Sequence, residues 1–139
     1  MIIREARASD LSYVLDSWWR SWADDYARRY HLRGLVQWHV RGSCIAAACR
    51  LLAHASVLVA CADEDPDTIA GWIAYTGTVL RYCHTRVTLR RTGVATALLA
   101  QLPQLKWRAA NTLRAAVVPR LRALVYDPEI TINRAKEAP

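Results

Sequence analysis

Apolar positions along the chain change period several times, and each change marks an element. Ile2 and Ile3 make a short apolar start that predicts a first strand. Ser9-Asp10 supplies an N-cap pattern, and Leu11, Val14, Leu15, Trp18 and Trp22 then recur at helical spacing. A first helix is therefore expected, ending near Asp24-Asp25. Residues 26–34 are polar, basic and aromatic and read as a loop or a broken helix. Helical spacing returns over residues 35–52, with Ile45, Ala48, Cys49 and Leu52 on one face and Gly42 as a weak point.

The middle of the chain changes to strand character. Residues 57–61 form a continuous apolar run rich in branched side chains, which predicts a buried strand. An acidic, proline-containing turn follows at residues 63–67. Residues 69–76 and 78–88 then read as two further strands separated by Gly77, and short turns between them imply antiparallel pairing. After the loop at residues 90–95, Val94, Ala97, Leu98 and Gln101 follow helical spacing until Pro103 stops them. Residues 112–118 resemble a strand, 119–126 a short helix opened by Pro119 and broken by Asp127-Pro128, and 130–132 a last strand. The expected order is β-α-α-β-β-β-α-β-α-β: an α+β fold with a mixed, mainly antiparallel sheet flanked by helices, one domain over residues 1–132 with a charged tail at 133–139.

Composition narrows the picture only a little. The chain has 139 residues, of which 53% are apolar, enough for one real core. Nineteen Lys and Arg against twelve Asp and Glu give a net charge of +7, which suits a polyanionic partner or a phosphate-rich cofactor without choosing between them. The cluster Lys106, Arg108, Arg114, Arg120, Arg122 and Arg134 would suit nucleic acid. No reader motif or aromatic stacking pattern accompanies it in the sequence, so nucleic acid is not the expected partner. Cys44, Cys49, Cys61 and Cys83 lack metal spacing and are expected to be buried thiols; no metal is expected. Charges interrupt the first residues at once, and no apolar run approaches membrane length, so a cytoplasmic protein is expected.

One junction carries chemistry. In Leu89-Arg90-Arg91-Thr92-Gly93-Val94-Ala95-Thr96 a strand runs through a glycine turn directly into a helix. The first amides of a helix have no intrahelical acceptor, and the helix dipole adds positive potential beside them. Gly93 lets a ligand approach the backbone, and Arg90 and Arg91 add charge. Phosphate or pyrophosphate suits such a place.

Arg90-x-x-Gly93-x-Ala95 resembles the Gln/Arg-x-x-Gly-x-Gly/Ala motif of the GNAT acyltransferases. Residues 2–11 are similar to that family's opening strand and first helix, and residues 51–73 to its second and third strands, so the resemblance covers roughly residues 1–102. It implies an acyl-CoA co-substrate, usually acetyl-CoA, and an amine acceptor that attacks the acyl carbonyl directly. The amides from Arg91 to Ala95 would grip the pyrophosphate, with Val87, Thr88, Leu89, Arg90 and Thr96 completing the cofactor-binding set. The strand at residues 85–89 would pair with the pantetheine arm. Residues 119–126 resemble the family's last short helix, making Tyr126 the candidate acid, and His84 stands where members often carry a glutamate, making it the candidate base. Glu5 and the acidic turn are weaker bases. Asp24 and Asp25 would attract a cationic acceptor, and Arg28, Arg29 and Arg33 an anionic one. Pro119 stands in place of the family's Asn, and Asp127-Pro128-Glu129-Ile130 in place of its Gly-Phe. Those departures leave a second expectation: a GNAT-like domain without catalysis, serving a larger assembly as a binding or structural part.

Overall fold

The computed structural model describes residues 1–29, 35–109 and 118–126. It contains two compact units: Met1–Ala6 with His54–Pro139, and Arg7–Ala53.

The second unit is helical. Helix α1 spans Leu11–Arg29 and helix α2 spans Leu35–Leu52, and the two pack on each other. A single 3-10 turn, Ala8–Asp10, leads into α1, and there the Asp10 carboxylate accepts the Arg7 amide at 2.6 Å. Among the described side chains of α1, Val14, Ser17, Trp18 and Ala23 are buried, whereas Leu11 and Trp22 of the expected stripe are exposed. The helix also outruns its expected end at Asp24-Asp25. Nothing from Tyr26 to Arg29 breaks a helix, and unfavourable end charges cost only tenths of a kcal/mol. In α2, Ala48 is buried and Cys49 is exposed, because consecutive helical residues point about 100° apart. The expectation of buried thiols therefore fails at Cys49, while Cys61 is buried. Residues 30–34, and with them His31 and Arg33, lie outside the described residues.

The first unit is a six-stranded sheet in the order β1-β2-β3-β4-β5-β6: Ile2–Glu5, Ser56–Cys61, Ile69–Thr76, Val79–Thr85, Trp107–Arg108 and Val125–Tyr126. Neighbours are antiparallel from β1 to β4 and parallel from β4 to β6. Helix α3, Val94–Ala100, packs on β2, β3 and β4, and helix α4, Pro119–Ala123, precedes β6. The core on that side joins Ala60, Ala70, Ile73 and Leu80 of the sheet to Val94, Leu98, Leu99, Leu121 and Leu124. Ile73 and Leu98 are fully buried, and each contributes roughly 2 kcal/mol by leaving water.

Element order and class match the expectation, but three boundaries do not. β4 ends at Thr85, and residues Val87–Leu89 form a 3-10 turn rather than more strand. The ladder stops because the Arg86 amide takes the Ala70 carbonyl at 2.8 Å while the Arg86 Nε takes the Ile69 carbonyl at 3.1 Å. No rung is then left for Val87. A strand lies at Trp107–Arg108, where none was expected. It is held by the Thr78 carbonyl, which accepts both the Lys106 and Trp107 amides. The expected strand at residues 112–118 falls almost wholly outside the described residues, as do the last strand at 130–132 and the tail. Finally, the expected helix to Tyr126 stops at Ala123, since the Val125 amide pairs with the Lys106 carbonyl at 3.0 Å and draws the chain into β6.

Candidate functional site

The loop after β4 is shaped by its backbone. Arg91 has φ of 64° and Gly93 φ of 89°, both left-handed, so the chain reverses twice before α3. The Thr92 hydroxyl donates to the Leu89 carbonyl at 2.6 Å and ties the loop across its base. Gly93 is the N-cap of α3, and no side chain caps that end. The first-turn amides are therefore left to a ligand or to water. Arg91, Thr92, Gly93 and Thr96 are exposed, Arg90 and Ala95 half-buried, and Val94 buried, so Val94 can serve a ligand only through its backbone. Val87 and Thr88 are exposed on the 3-10 turn, with Leu89 half-buried beside them.

Gly71 of β3 is what lets α3 begin so near the sheet. A Cβ at that position would stand 2.7 Å from the His84 carbonyl oxygen and 2.7 Å from Val94 Cγ1. A glycine inside a strand is the sequence signal of such close approach.

β4 carries a bulge. Tyr75 pairs with Leu80 and Ala74 with Tyr82, leaving Arg81 as the extra residue. Arg81 is 5% exposed, its Nε reaches the Thr76 hydroxyl at 3.4 Å, and burial lowers its pKa from the usual arginine range. Nothing in the sequence separated this arginine from a solvent-facing one. Among the described residues, β5 pairs with β4 only at Val79 and Leu80, ahead of the bulge.

His84 lies on β4 past the bulge, directly across from Trp72 and on the face opposite α3. Its ring is 5.9 Å from that of Trp72, which stacks in turn on Tyr82 at 5.7 Å. The neighbouring Cys83 faces the α3 core, and burial pushes its thiol up to about 12. Tyr126 stands elsewhere. It pairs with Arg108 two strands from Leu80, is 41% exposed, and lies under the Arg108 guanidinium at 5.3 Å. Two strand spacings and four residues of rise put it about 16 Å from His84, so the structure does not bring the two candidates together. Glu5 is on β1, three strands from β4 in sheet order, and Asp65 of the acidic turn is held below the usual carboxylate range by the Thr68 hydroxyl. Among the described residues no group of His, Cys, Asp or Glu could hold a metal ion, and no helix is long and apolar enough to cross a membrane.

No protein-family model and no curated protein matches the sequence. Solved structures do match in shape. A GCN5-related N-acetyltransferase from Rhodopseudomonas palustris superposes with a TM-score of 0.52 at 18% identity, covering 73% of this chain and 62% of that one. The apo form of YjaB from Escherichia coli gives 0.50 at 18%, covering 73% and 64%. A structure described as a probable acetyltransferase gives 0.51 at 15%, covering 99% and 85%. The chain thus spans a little under two thirds of the first two structures. At such identity what is shared is the architecture: this chain has the fold of the GNAT acetyltransferases.

Proposed function

We propose that the chain is an acyl-CoA-dependent N-acyltransferase, with acetyl-CoA as donor and a primary amine as acceptor. The observation that carries this reading is the loop itself. Two left-handed residues and an uncapped helix start leave a run of amides open beside Arg90 and Arg91. A pyrophosphate fits that donor set, with Arg91, Thr92, Gly93, Val94 and Ala95 holding it through the backbone and Arg90 and Thr96 at the margins. The extended segment past Arg81 offers backbone groups to a pantetheine arm, taking over the part expected of residues 85–89. Val87, Thr88 and Leu89 would flank the arm from their turn.

The co-substrate supplies a thioester, whose carbonyl carbon gains the amine nitrogen as its C–S bond breaks. His84 takes the proton that the attacking amine loses, directly or through water. For the leaving thiolate the sequence offers Tyr126, which would have to reach the reacting atoms from the β6 edge. Its separation from His84 favours a proton from solvent instead. That separation also supports a second reading, a GNAT-fold domain without catalysis that serves a larger assembly.

Melting temperature with and without millimolar acetyl-CoA separates the two. The first reading expects a clear rise, since ligand at 100 times Kd adds about 2.7 kcal/mol. It also expects the rise to vanish in an Arg90→Glu, Gly93→Glu double variant. No rise in the native chain refutes the enzyme and leaves the second reading.

A further inference from the structure

We propose that the corner formed by β5, α4 and β6 is a docking surface for single-stranded nucleic acid, independent of the proposed coenzyme loop. The first observation is charge segregation. Residues 68–126 contain no Asp or Glu, yet they hold nine cations, eight of them Arg. All twelve acids of the chain lie outside that stretch. A basic run with no interspersed acids projects an unbalanced field, which attracts polyanions.

The second observation is what the fold gathers there. Pairing of β5 with β6 sets Arg108 against Tyr126, eighteen positions away in sequence, with the guanidinium 5.3 Å from the ring. Arg108 Nε donates to the Leu124 carbonyl at 3.3 Å, which fixes the guanidinium over the ring. Arg120 reaches back from α4, its Nη2 donating to the Pro103 and Leu105 carbonyls at 3.1 and 3.2 Å. Two cationic heads are thereby held in place, so less side-chain entropy is lost when an anion arrives. Lys106 and Arg122 are exposed around them, and Tyr126 is 41% exposed. The stacking ring that the linear sequence does not reveal is produced by strand pairing.

An exposed aromatic ring with a guanidinium over it and further cations on the neighbouring segments suits a stacked base with its phosphates, and single strands bind by this combination. Duplex recognition needs an element that fills a groove. Among the described residues α4 has five residues and β5 and β6 two each, so what they form is a platform rather than a probe. An acidic peptide would use the charge but not the ring.

The test is fluorescence anisotropy with a labelled oligo-thymidine of about 12 nucleotides, within the usual footprint of single-strand binders. Three to four phosphate contacts give a slope of about −2 to −3 in log K against log salt. Affinity should then fall roughly 15- to 60-fold between about 50 and 200 mM salt. Tyr126→Ala should weaken binding about tenfold while Tyr126→Phe keeps it within about twofold. Arg122→Ala should lower the slope by about 0.7. A Gly93→Glu variant should bind the oligonucleotide as the native chain does. Tyr126 and Arg122 are both exposed, and circular dichroism of their variants should match that of the native chain. Native affinity in Tyr126→Ala and Arg122→Ala, equal binding of poly-glutamate with the same salt slope, or loss of binding in Gly93→Glu each overturns the proposal.

Discussion

A single methyl group at Gly71 should disturb both the fold and the loop. Built on the backbone, it stands 2.7 Å from the His84 carbonyl oxygen, 2.7 Å from Val94 Cγ1 and 3.4 Å from Thr85 Cα. Neither of the two short contacts yields easily. The carbonyl belongs to the β3–β4 ladder, and valine is stiff about χ1 in a helix. Overpacking of this kind costs about 1–3 kcal/mol. Taking about 2 kcal/mol, Gly71→Ala should lower Tm by about 8 °C in a domain of this size. The strain falls between β3 and the start of α3, so it should also displace the uncapped amides and weaken the acetyl-CoA binding proposed for them. Val94→Ala removes two methyl-sized groups from a buried site and should cost about 1.6 kcal/mol alone. In the double variant one of the two clashes is gone, so the effects should fall short of additive by about 1 kcal/mol. Urea unfolding of the four proteins gives the cycle, and calorimetric titration gives the affinity. A Gly71→Ala protein with native midpoint, or a strictly additive cycle, would refute the close approach of α3 to β3.

Arg91 sits at φ of 64°, where a side chain costs about 1–2 kcal/mol and glycine does not. Glycine recovers this but frees the unfolded chain by about 0.5–1 kcal/mol, so Arg91→Gly should raise stability by about 0.5 kcal/mol. The β-branched Arg91→Val should lower it by more than that, and thermal melts of the pair must show opposite signs. Burial pushes the Cys83 thiol up to about 12 from an ordinary 9.0. Its folded-state value is the higher one, so its contribution to stability is complete below about pH 9 and is lost as pH rises from 9 toward 12. Urea midpoints at pH 8 and pH 10 should therefore drop more for the native chain than for Cys83→Ala, and equal drops would refute it. At pH 8 a maleimide should label exposed Cys49 and leave Cys83 unmodified.

The elements legible in the sequence are those whose reasons are local. Residues 35–52 and 69–76 fall on α2 and β3 because period and punctuation there are set by neighbours in the chain. The turn before α3 was legible for the same reason: Gly93 and the helix start are adjacent. What stayed hidden depends on partners far along the chain. Arg86 ends β4 by reaching Ile69, and nothing near Arg86 announces that. Lys106-Trp107-Arg108 has one apolar residue, too few positions to predict a strand, yet Thr78 makes it one. Tyr126 read as the end of a helix because Pro119 opens one, but its neighbour Val125 pairs with Lys106 and a strand replaces the last turn. That one boundary moves the candidate acid from a helix to a sheet edge, which is why the loop reading carries further than the reading of acid and base.

β4 sets the distance between the two proposed anion sites. It is antiparallel to β3 but parallel to β5, and β5 meets it only at its first residues. The β5–β6 corner therefore stands level with Leu80, while the loop begins beyond Thr85. Five residues of strand separate those levels, about 16 Å before the loop itself is added. At physiological ionic strength the Debye length is about 8 Å, so most of the attraction between an anion at one region and the cations of the other is screened. The same acid-free stretch can thus serve two anions without either excluding the other by charge. An oligonucleotide on the corner and a phosphate at the loop would compete only if the nucleic acid were long enough to run along β4, so lengthening the oligonucleotide, rather than raising its concentration, is what would couple them.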